Sequence, residues 1–143
     1  QTRGGHVAMA STAHQEAQVP RACALLSSGI FLSGTVYLRP HVLLVIDDTA
    51  ILKASMNASL FPRITEWPFN AALVVGRFAD GSGVAGRGVI DGQAPQFVTS
   101  LDVPSDQFKY SPYHDASGAF RVRLIEIAHS RNVSVSNITL VDS

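Results

Sequence analysis

The sequence is poor in the features that mark several classes of protein. Only 15% of its 143 residues are charged, and 11 Lys and Arg side chains balance 11 Asp and Glu. Without an excess of positive charge, the chain lacks the electrostatic footprint of a protein that binds nucleic acid or an anionic membrane surface. The most apolar run, Val42 to Ile46, is far shorter than the roughly 18 to 20 residues that cross a bilayer. We therefore predict no nucleic-acid partner and no membrane partner.

Cysteine is almost absent, which excludes an internal disulfide framework and a zinc site built from four cysteines. The single thiol, Cys23, lies among Ala22, Ala24 and Leu25, so we predict a small buried apolar residue. A free thiol, or a pairing with a cysteine outside this chain, stays open. The pair His114-Asp115 and the isolated His129 have no third ligand at the spacing of a metal site, so we predict no metal and no cofactor.

What the sequence does contain is a series of short apolar runs rich in Val, Ile and Leu. Residues 1–18 are small and polar, and we interpret them as an N-terminal extension whose Ala-rich part, 7–18, is compatible with a short helix. Residues 19–143 form one β-rich domain. The predicted strands are Ile30 to Leu32, Thr35 to Leu38, Val42 to Ile46, Ile51-Leu52, Ala72 to Val75, Val84, Val89-Ile90, Arg123 to Ile127, Val133 to Val135 and Ile138 to Val141.

These runs repeat a local pattern. Three times, a pair of turn residues directly precedes a valine that opens a strand, and a second short strand follows. The pairs are Pro40-His41, Ser82-Gly83 and Arg131-Asn132. A turn, a strand, a second turn and another strand, repeated at irregular intervals, favour a solenoid such as a parallel β-helix. A Greek-key sandwich is the competing interpretation, but it predicts hairpin dipeptides, for which only Asp80-Gly81 and Asp91-Gly92 are good candidates.

Alternation along the strands predicts which side chains face the interior of the solenoid. The residues expected to point inward are Val42, Leu44, Ile51, Val84, Ile90, Ile125, Ile127, Val133, Val135, Ile138 and Leu140.

Two long segments, 56–70 and 93–120, interrupt the rhythm, and long loops on a regular scaffold are often functional. Both contain aromatic residues, onto which pyranose rings can stack, although packing of these rings against the solenoid is the simpler interpretation. The candidates are Trp67, Phe69, Phe97, Phe108, Tyr110 and Tyr113. The sequence alone leaves the carbohydrate-binding residues unknown.

Five motifs stand in order along the chain. The first is Leu32-Ser33-Gly34-Thr35 with its flanking apolar residues, the second is the segment from Val42 to Ser55, and the third is Phe61-Pro62. The last two are Gly86-Arg87-Gly88-Val89-Ile90-Asp91-Gly92-Gln93 and the stretch from Arg123 to Ser143 with Asn132-Val133 and Asn137-Ile138. Together they resemble the polygalacturonase-type enzymes of glycoside hydrolase family 28, which often have Tyr-Pro where this chain has Phe61-Pro62.

This resemblance covers residues 19–143 and implies an all-β fold, a right-handed parallel β-helix. It also implies that the catalytic motifs of the family, Asn-Thr-Asp, Asp-Asp, Gly-His-Gly and Arg-x-Lys, lie downstream of Ser143. Glycosidic hydrolysis requires one carboxylic acid to protonate the leaving oxygen and a second carboxylate on the opposite face. We therefore assign no catalytic residue within these 143 residues and predict that they are inactive alone.

Three stretches that look like parts of catalytic motifs are set aside, two of them because they are better explained as turns and one because it lies at the wrong end of the chain. Asp47-Asp48 stands in the turn before Ile51, Gly5-His6-Val7 is not Gly-His-Gly, and Asp91 is predicted to accept local backbone hydrogen bonds.

Two classes of function remain open. The first is the N-terminal part of a polygalacturonase-like hydrolase that acts on pectic or related polysaccharide. The second is a non-catalytic β-helix module, structural or carbohydrate-binding, of a larger extracellular assembly. In both, a solenoid that ends at Ser143 is incomplete at its C-terminal end, where unpaired backbone groups need a cover from the rest of the chain or from another subunit.

Three of the four asparagines, Asn57, Asn132 and Asn137, stand in Asn-x-Ser/Thr sequons. Such an excess predicts a secreted protein, extracellular or in the cell wall, with Asn57 the leading glycan site. Asn132 and Asn137 can also be explained as turn residues between coils. No apolar h-region follows Gln1 to Gly5, so a leader peptide is expected to be absent from these residues.

Overall fold

The computed structural model describes residues 22–62, 72–94 and 122–142. The predicted N-terminal extension, 1–18, lies outside this part of the chain, as do most residues of the two predicted loops.

The described residues form eleven short β-strands and one turn of 3-10 helix, η1. The strands are β1 Ala22–Leu26, β2 Gly29–Ser33, β3 Val36–Leu38, β4 Val42–Ile46, β5 Ala50–Ala54, β6 Ala72–Arg77, β7 Gly83–Gly86, β8 Val89–Asp91, β9 Arg123–Ala128, β10 Ser134–Ser136 and β11 Thr139–Val141, with η1 at Ala58–Leu60. No helix in these ranges is long and apolar enough to cross a membrane.

The strands pair only with strands of neighbouring coils, and every pairing is parallel. Sheet A has the order β1-β4-β7-β10, sheet B has β2-β5-β8-β11, and sheet C has β3-β6-β9. Each coil therefore visits sheets A, B and C in turn, which is the architecture of a right-handed parallel β-helix. The predicted fold is confirmed, and the Greek-key alternative, which requires antiparallel pairs, is wrong.

The interior of the helix is filled by columns of apolar side chains, one from each coil. Leu44, Val84 and Val135 are aligned in sheet A, while Leu52, Ile90 and Leu140 are aligned in sheet B. The members from the middle coils are buried, whereas Val135 and Leu140, on the fourth coil, are about half exposed at 48% and 47%. The loss of cover at the last described coil explains the difference, since each coil buries its neighbours.

Five of the eleven predicted inward residues lie on these columns, namely Leu44, Val84, Ile90, Val135 and Leu140. Ile125 and Ile138 pack against the buried core, and Val42 lies on the same face of β4 as the buried Leu44 and Ile46. The prediction for Ile51 is wrong, because the register aligns it with Ile30 and Val89 on the outer face. Its neighbour Leu52 is buried instead, as are Ala50 and Ala54 of the same strand.

The burial predicted for Cys23 is also wrong. Strand β1 places Cys23 beside Leu43, on the outer face of sheet A, and the thiol is exposed. Ala24, one residue further on, is aligned with the buried Leu44 instead. The alternation of side chains across a strand therefore turns Cys23 outward in a segment that looks uniformly apolar in sequence.

Candidate carbohydrate-binding surface

The three corners between the sheets differ strongly in length. The connections from sheet A to sheet B are short, whereas 55–71 and 92–122 both connect sheet B to sheet C, in the second and third coils. The two longest connections therefore leave the described core at one corner, beside the outer face of sheet C. Because loops on a rigid scaffold carry function disproportionately, this face is the first place to look for a site.

The B-to-C corner of the first coil is built around Gly34 and Thr35. A Cβ atom at Gly34 would lie 2.5 Å from both the Cβ and the carbonyl oxygen of Leu60, so only glycine leaves room for η1. The amide of Thr35 donates to the carbonyl oxygen of Leu60 at 3.1 Å, and its hydroxyl donates to that of Ala72 at 2.9 Å. The Ser-Gly-Thr motif thus stacks the long connection of the second coil on the short one of the first.

A second family-like motif, Asp91-Gly92-Gln93, stands at the same corner two coils further on, in the third coil. The Asp91 carboxylate accepts a hydrogen bond from the Gln93 amide at 2.9 Å, as predicted for a turn residue, and contacts the Lys53 ammonium at 3.2 Å. Gln93 has a left-handed backbone with φ of 55°, and its side-chain amide donates to the carbonyl oxygen of Ala54. Both interactions of the Asp91 carboxylate therefore stabilise the fold.

The outer face of sheet C carries Tyr37, Val75 and Glu126 in register on three adjacent strands. Tyr37 is 53% exposed, whereas Glu126 is 9% exposed. Neither carboxylate oxygen of Glu126 has a hydrogen-bond partner, and the nearest cation, the Arg123 guanidinium, is 3.9 Å away. A desolvated carboxylate without hydrogen bonds opposes folding, so it is a feature that the scaffold alone does not explain.

The corner from sheet C back to sheet A carries a pair of stacked rings. Phe78 follows β6 and His129 follows β9, and their ring centroids are 5.2 Å apart with planes inclined by 12°. His129, considered from sequence only as a metal ligand, is therefore an aromatic neighbour of Phe78. The sequence signal for this pair is weak, since both residues simply stand one position after a strand of sheet C.

The predicted turn at Asp47-Asp48 is confirmed. The Asp47 carboxylate accepts from the Asp48 amide at 2.8 Å, and the Asp47 carbonyl oxygen accepts from the Ala50 amide at 2.9 Å. Asp48 contacts the exposed Arg87 guanidinium of the next coil at 3.3 Å. Both acids are exposed and each has a structural role.

The three sequons occupy two kinds of backbone. Asn57 is exposed and caps η1, where its side-chain oxygen accepts from the Ser59 amide at 3.1 Å and from the Ser59 hydroxyl at 2.7 Å. Asn132 and Asn137 are exposed and have left-handed φ values of 55° and 58°. Asparagine tolerates this conformation better than most residues, so both asparagines also serve as turn residues.

The remaining candidates from sequence lie outside the described residues. They are the loop aromatics Trp67, Phe69, Phe97, Phe108, Tyr110 and Tyr113, together with His6 and the pair His114-Asp115. Within the described ranges, no group of three His, Cys, Asp or Glu side chains is placed to hold a metal ion.

An apolar pocket of about 430 Å³, partly open to its surroundings, lies against the first coil. Leu26, Phe31, Val36, Leu44 and Leu52 line it together with Leu32 and Ser33. A single serine supplies too few polar groups to orient a sugar, so this pocket is not a candidate sugar site.

Comparison with known proteins supports the resemblance at the level of the fold. No family model matches the sequence, and no curated protein sequence matches it. Among solved structures, a candidate glycosyl hydrolase from Parabacteroides merdae superposes with a TM-score of 0.65 at 20% identity, over 84% of this chain and 50% of that one. The polygalacturonase from Erwinia carotovora ssp. carotovora superposes with a TM-score of 0.62 at 26% identity, over 85% of this chain and 35% of that one.

The chain thus spans half or less of the length of these two proteins. Its fold is that of a polygalacturonase-like parallel β-helix.

Proposed function

We propose that this chain is the N-terminal part of a secreted, polygalacturonase-like glycoside hydrolase that acts on pectic or related polysaccharide. The observation that carries the proposal is the structural role of the family-like motifs. Gly34-Thr35 and Asp91-Gly92-Gln93 build the same corner in different coils, and their order along the chain is that of the enzymes they resemble. The similarity to the Erwinia polygalacturonase over 85% of this chain supports the same assignment.

The acid chemistry is proposed to lie outside these residues. Hydrolysis of a glycosidic bond needs two carboxyl groups that flank the scissile bond at about 5 to 10 Å from each other. Asp47 and Asp48 stabilise a turn, and Asp91 is paired with Lys53. Glu126 has no such structural role, but it is the only carboxylate on the described strands of sheet C, so it has no second carboxylate beside it there.

The proposed secretion rests on the sequons. Asn57, Asn132 and Asn137 are all exposed, as attachment of a glycan requires. The polysaccharide substrate that we propose would also be encountered outside the cell.

The test begins with the coding sequence beyond Ser143. We expect it to encode Asn-Thr-Asp, Asp-Asp, Gly-His-Gly and Arg-x-Lys motifs. The whole gene product is then assayed for release of reducing ends from polygalacturonate and from neutral pectic polysaccharides, with the 143-residue chain as the matched control.

We expect turnover by the whole product and none by the 143-residue chain. Absence of those motifs, together with retained polysaccharide binding and no turnover, would instead indicate a non-catalytic carbohydrate-binding module. Turnover by the 143-residue chain that is lost on Asp47→Asn would contradict the assignment of the acids to structural turns.

A further inference from the structure

The Phe78–His129 pair stands at a position where the chain uses an unfavourable backbone. Arg77 and Ala128 are aligned in sheet C, and the next residues, Phe78 and His129, both have left-handed φ values, 50° and 51°. Asparagine, aspartate and histidine are the non-glycine residues that adopt this region most often, so His129 is tolerated there, whereas the bulky ring of Phe78 is an unusual choice.

The other left-handed positions of the described chain hold several residue types. Five are glycine or asparagine, and the remaining three are His41, Gln93 and Asp142. Positions 78 and 129 differ from all of these because they place two aromatic rings one above the other. The backbone strain therefore accompanies a specific pair of side chains.

Burial does not compensate for this strain. Phe78 and Ile30, each 68% exposed, are the most exposed large apolar side chains of the described residues. His129 is also exposed. Most of the Phe78 ring therefore faces solvent, apart from its contact with the imidazole. An exposed aromatic residue in a strained conformation is a feature that points to function more than to packing.

The rings are held on a rigid turn. The Phe78 amide donates to the carbonyl oxygen of Ala128 at 3.3 Å, and the Ala79 amide donates to the Ser130 hydroxyl at 2.9 Å. The Ser130 hydroxyl in turn donates to the carbonyl oxygen of Ala128 at 2.9 Å, and Ala79 is fully buried. A platform that is ordered before binding loses little entropy when a ligand arrives.

The same turn also carries polar side chains. The Asp80 carboxylate accepts from the Arg131 backbone amide at 2.7 Å, and both side chains are exposed. A pyranose has an apolar C–H face that can stack on an aromatic ring and a rim of hydroxyl groups that can form hydrogen bonds with polar side chains.

We infer that Phe78 and His129 form a stacking platform for a pyranose unit of a polysaccharide, at the corner between sheets C and A. This inference deepens the proposed function, because it names a place of contact with the polysaccharide in a part of the chain that has no assigned acid pair. It does not require that the bound sugar be cleaved.

The test uses the whole gene product with Phe78→Asn and His129→Asn, singly and together. Asparagine keeps the left-handed backbone and removes the ring, so the fold is expected to survive, which far-ultraviolet circular dichroism and the melting temperature verify. Phe78→Tyr retains a ring and serves as the conservative variant. Leu25→Thr, at a side chain 61% exposed on the outer face of sheet A, is the matched control for removal of a surface apolar group.

Binding is measured by calorimetric titration with a galacturonic acid trimer and, in parallel, a galactose trimer, each confirmed by chromatography to stay intact. We expect the double variant to bind at least one trimer about tenfold more weakly, and Phe78→Tyr and Leu25→Thr to bind as the unchanged protein does. The inference would be overturned if the double variant bound each trimer as tightly as the unchanged protein does. It would also be overturned if the unchanged protein bound neither trimer.

Two further readouts separate the explanations. If sedimentation velocity shows that the unchanged protein self-associates and the double variant does not, while sugar affinity is unaltered, the rings are a contact between copies and the inference is wrong. Weaker trimer binding by the double variant, in a protein that hydrolyses no polysaccharide, would support the platform while contradicting the proposed hydrolase. Turnover of polysaccharide by a protein whose ring variants bind the trimers unchanged would support the proposed hydrolase and contradict the platform.

Discussion

The Lys53 ammonium and the Asp91 carboxylate lie 3.2 Å apart on aligned positions of β5 and β8, on the outer face of sheet B. The Asp91 side chain is only 14% exposed and also accepts the Gln93 amide. One carboxylate therefore joins two coils and closes the turn that follows, in the middle of the motif that most resembles the polygalacturonase family.

This relationship makes Asp91→Ala and Asp91→Asn informative as a pair. Alanine removes both the ion pair and the turn acceptor, so we expect a loss of about 1 to 2 kcal/mol in the free energy of unfolding. Asparagine keeps an oxygen for the Gln93 amide, so we expect a loss of about 0.5 to 1 kcal/mol. Denaturant unfolding of the whole gene product measures both, and equal losses would show that the turn hydrogen bond contributes nothing.

A second prediction concerns the close approach at Gly34. Gly34→Ala places a methyl group 2.5 Å from backbone and side-chain atoms of Leu60, so η1 must move, and we expect a loss of about 3 kcal/mol or more. Gly76→Ala is the matched control, since its Cβ would meet Ile127, Ala79 and Leu38 at 3.5 to 3.6 Å, which is ordinary contact. We expect it to change stability by less than about 1 kcal/mol. Similar melting temperatures for the two variants would contradict this assignment of Gly34.

The sequence was sufficient to predict the solenoid because the strands bounded by turns are locally distinct. Val42 to Ile46 was found as predicted, since a run of five apolar residues between Pro40-His41 and Asp47-Asp48 has clear limits. Strand β1 was missed because Ala22-Cys23-Ala24 has no β-branched residue and does not alternate in polarity. The sequence predicts Ile51 on the inward face of β5 because a run of two apolar residues does not show which of them faces the core. Only the pairing of β5 with β8 shows that Leu52 does.

The Phe78–His129 pair was out of reach of the sequence for a different reason. Its two members are 51 positions apart, and connections of very different length separate the coils that carry them. A repeat of variable period conceals which residues share a corner, and only the register of β6 with β9 brings these two together. The buried Glu126 carboxylate, which accepts no hydrogen bond, was equally out of reach because no local pattern encodes its burial.

The left-handed turn at Asn137 gives a prediction that separates its two possible roles. Asn137→Gly keeps the backbone with φ of 58° accessible and abolishes the sequon, so we expect little change in stability. Asn137→Ala abolishes the sequon equally but disfavours this backbone, with an expected loss of about 1 kcal/mol. Thermal unfolding of protein made in a host without N-glycosylation measures the backbone contribution, and identical melting temperatures for both variants would contradict it.

Glycosylation itself is predicted at Asn57 first. Its side-chain oxygen is engaged by Ser59 while its nitrogen is on an exposed turn, so a glycan can be attached without loss of the cap. Peptide mass spectrometry of protein secreted from its native source is expected to show a glycan at this residue. Unmodified Asn57, Asn132 and Asn137, in a protein found inside the cell, would contradict both the glycosylation and the proposed secretion.

The last prediction addresses the cost of keeping Glu126 on the outer face of sheet C. Its oxygens are desolvated without a hydrogen bond, and Arg123, at 3.9 Å and 53% exposed, offsets only part of that loss. Replacing an ill-paired buried charge by an apolar residue of similar volume is often neutral or stabilising, so we expect Glu126→Met to leave stability unchanged or to raise it by up to about 1 kcal/mol. Arg123→Met, which removes the cation at 3.9 Å and leaves the carboxylate behind, is the matched variant and should be destabilising.

If Glu126→Met raises stability and also weakens polysaccharide binding or turnover, the carboxylate is retained at the expense of stability for a role in the site. A loss of more than about 1.5 kcal/mol in Glu126→Met would show instead that the carboxylate stabilises the fold, because the net effect of burial would then be favourable.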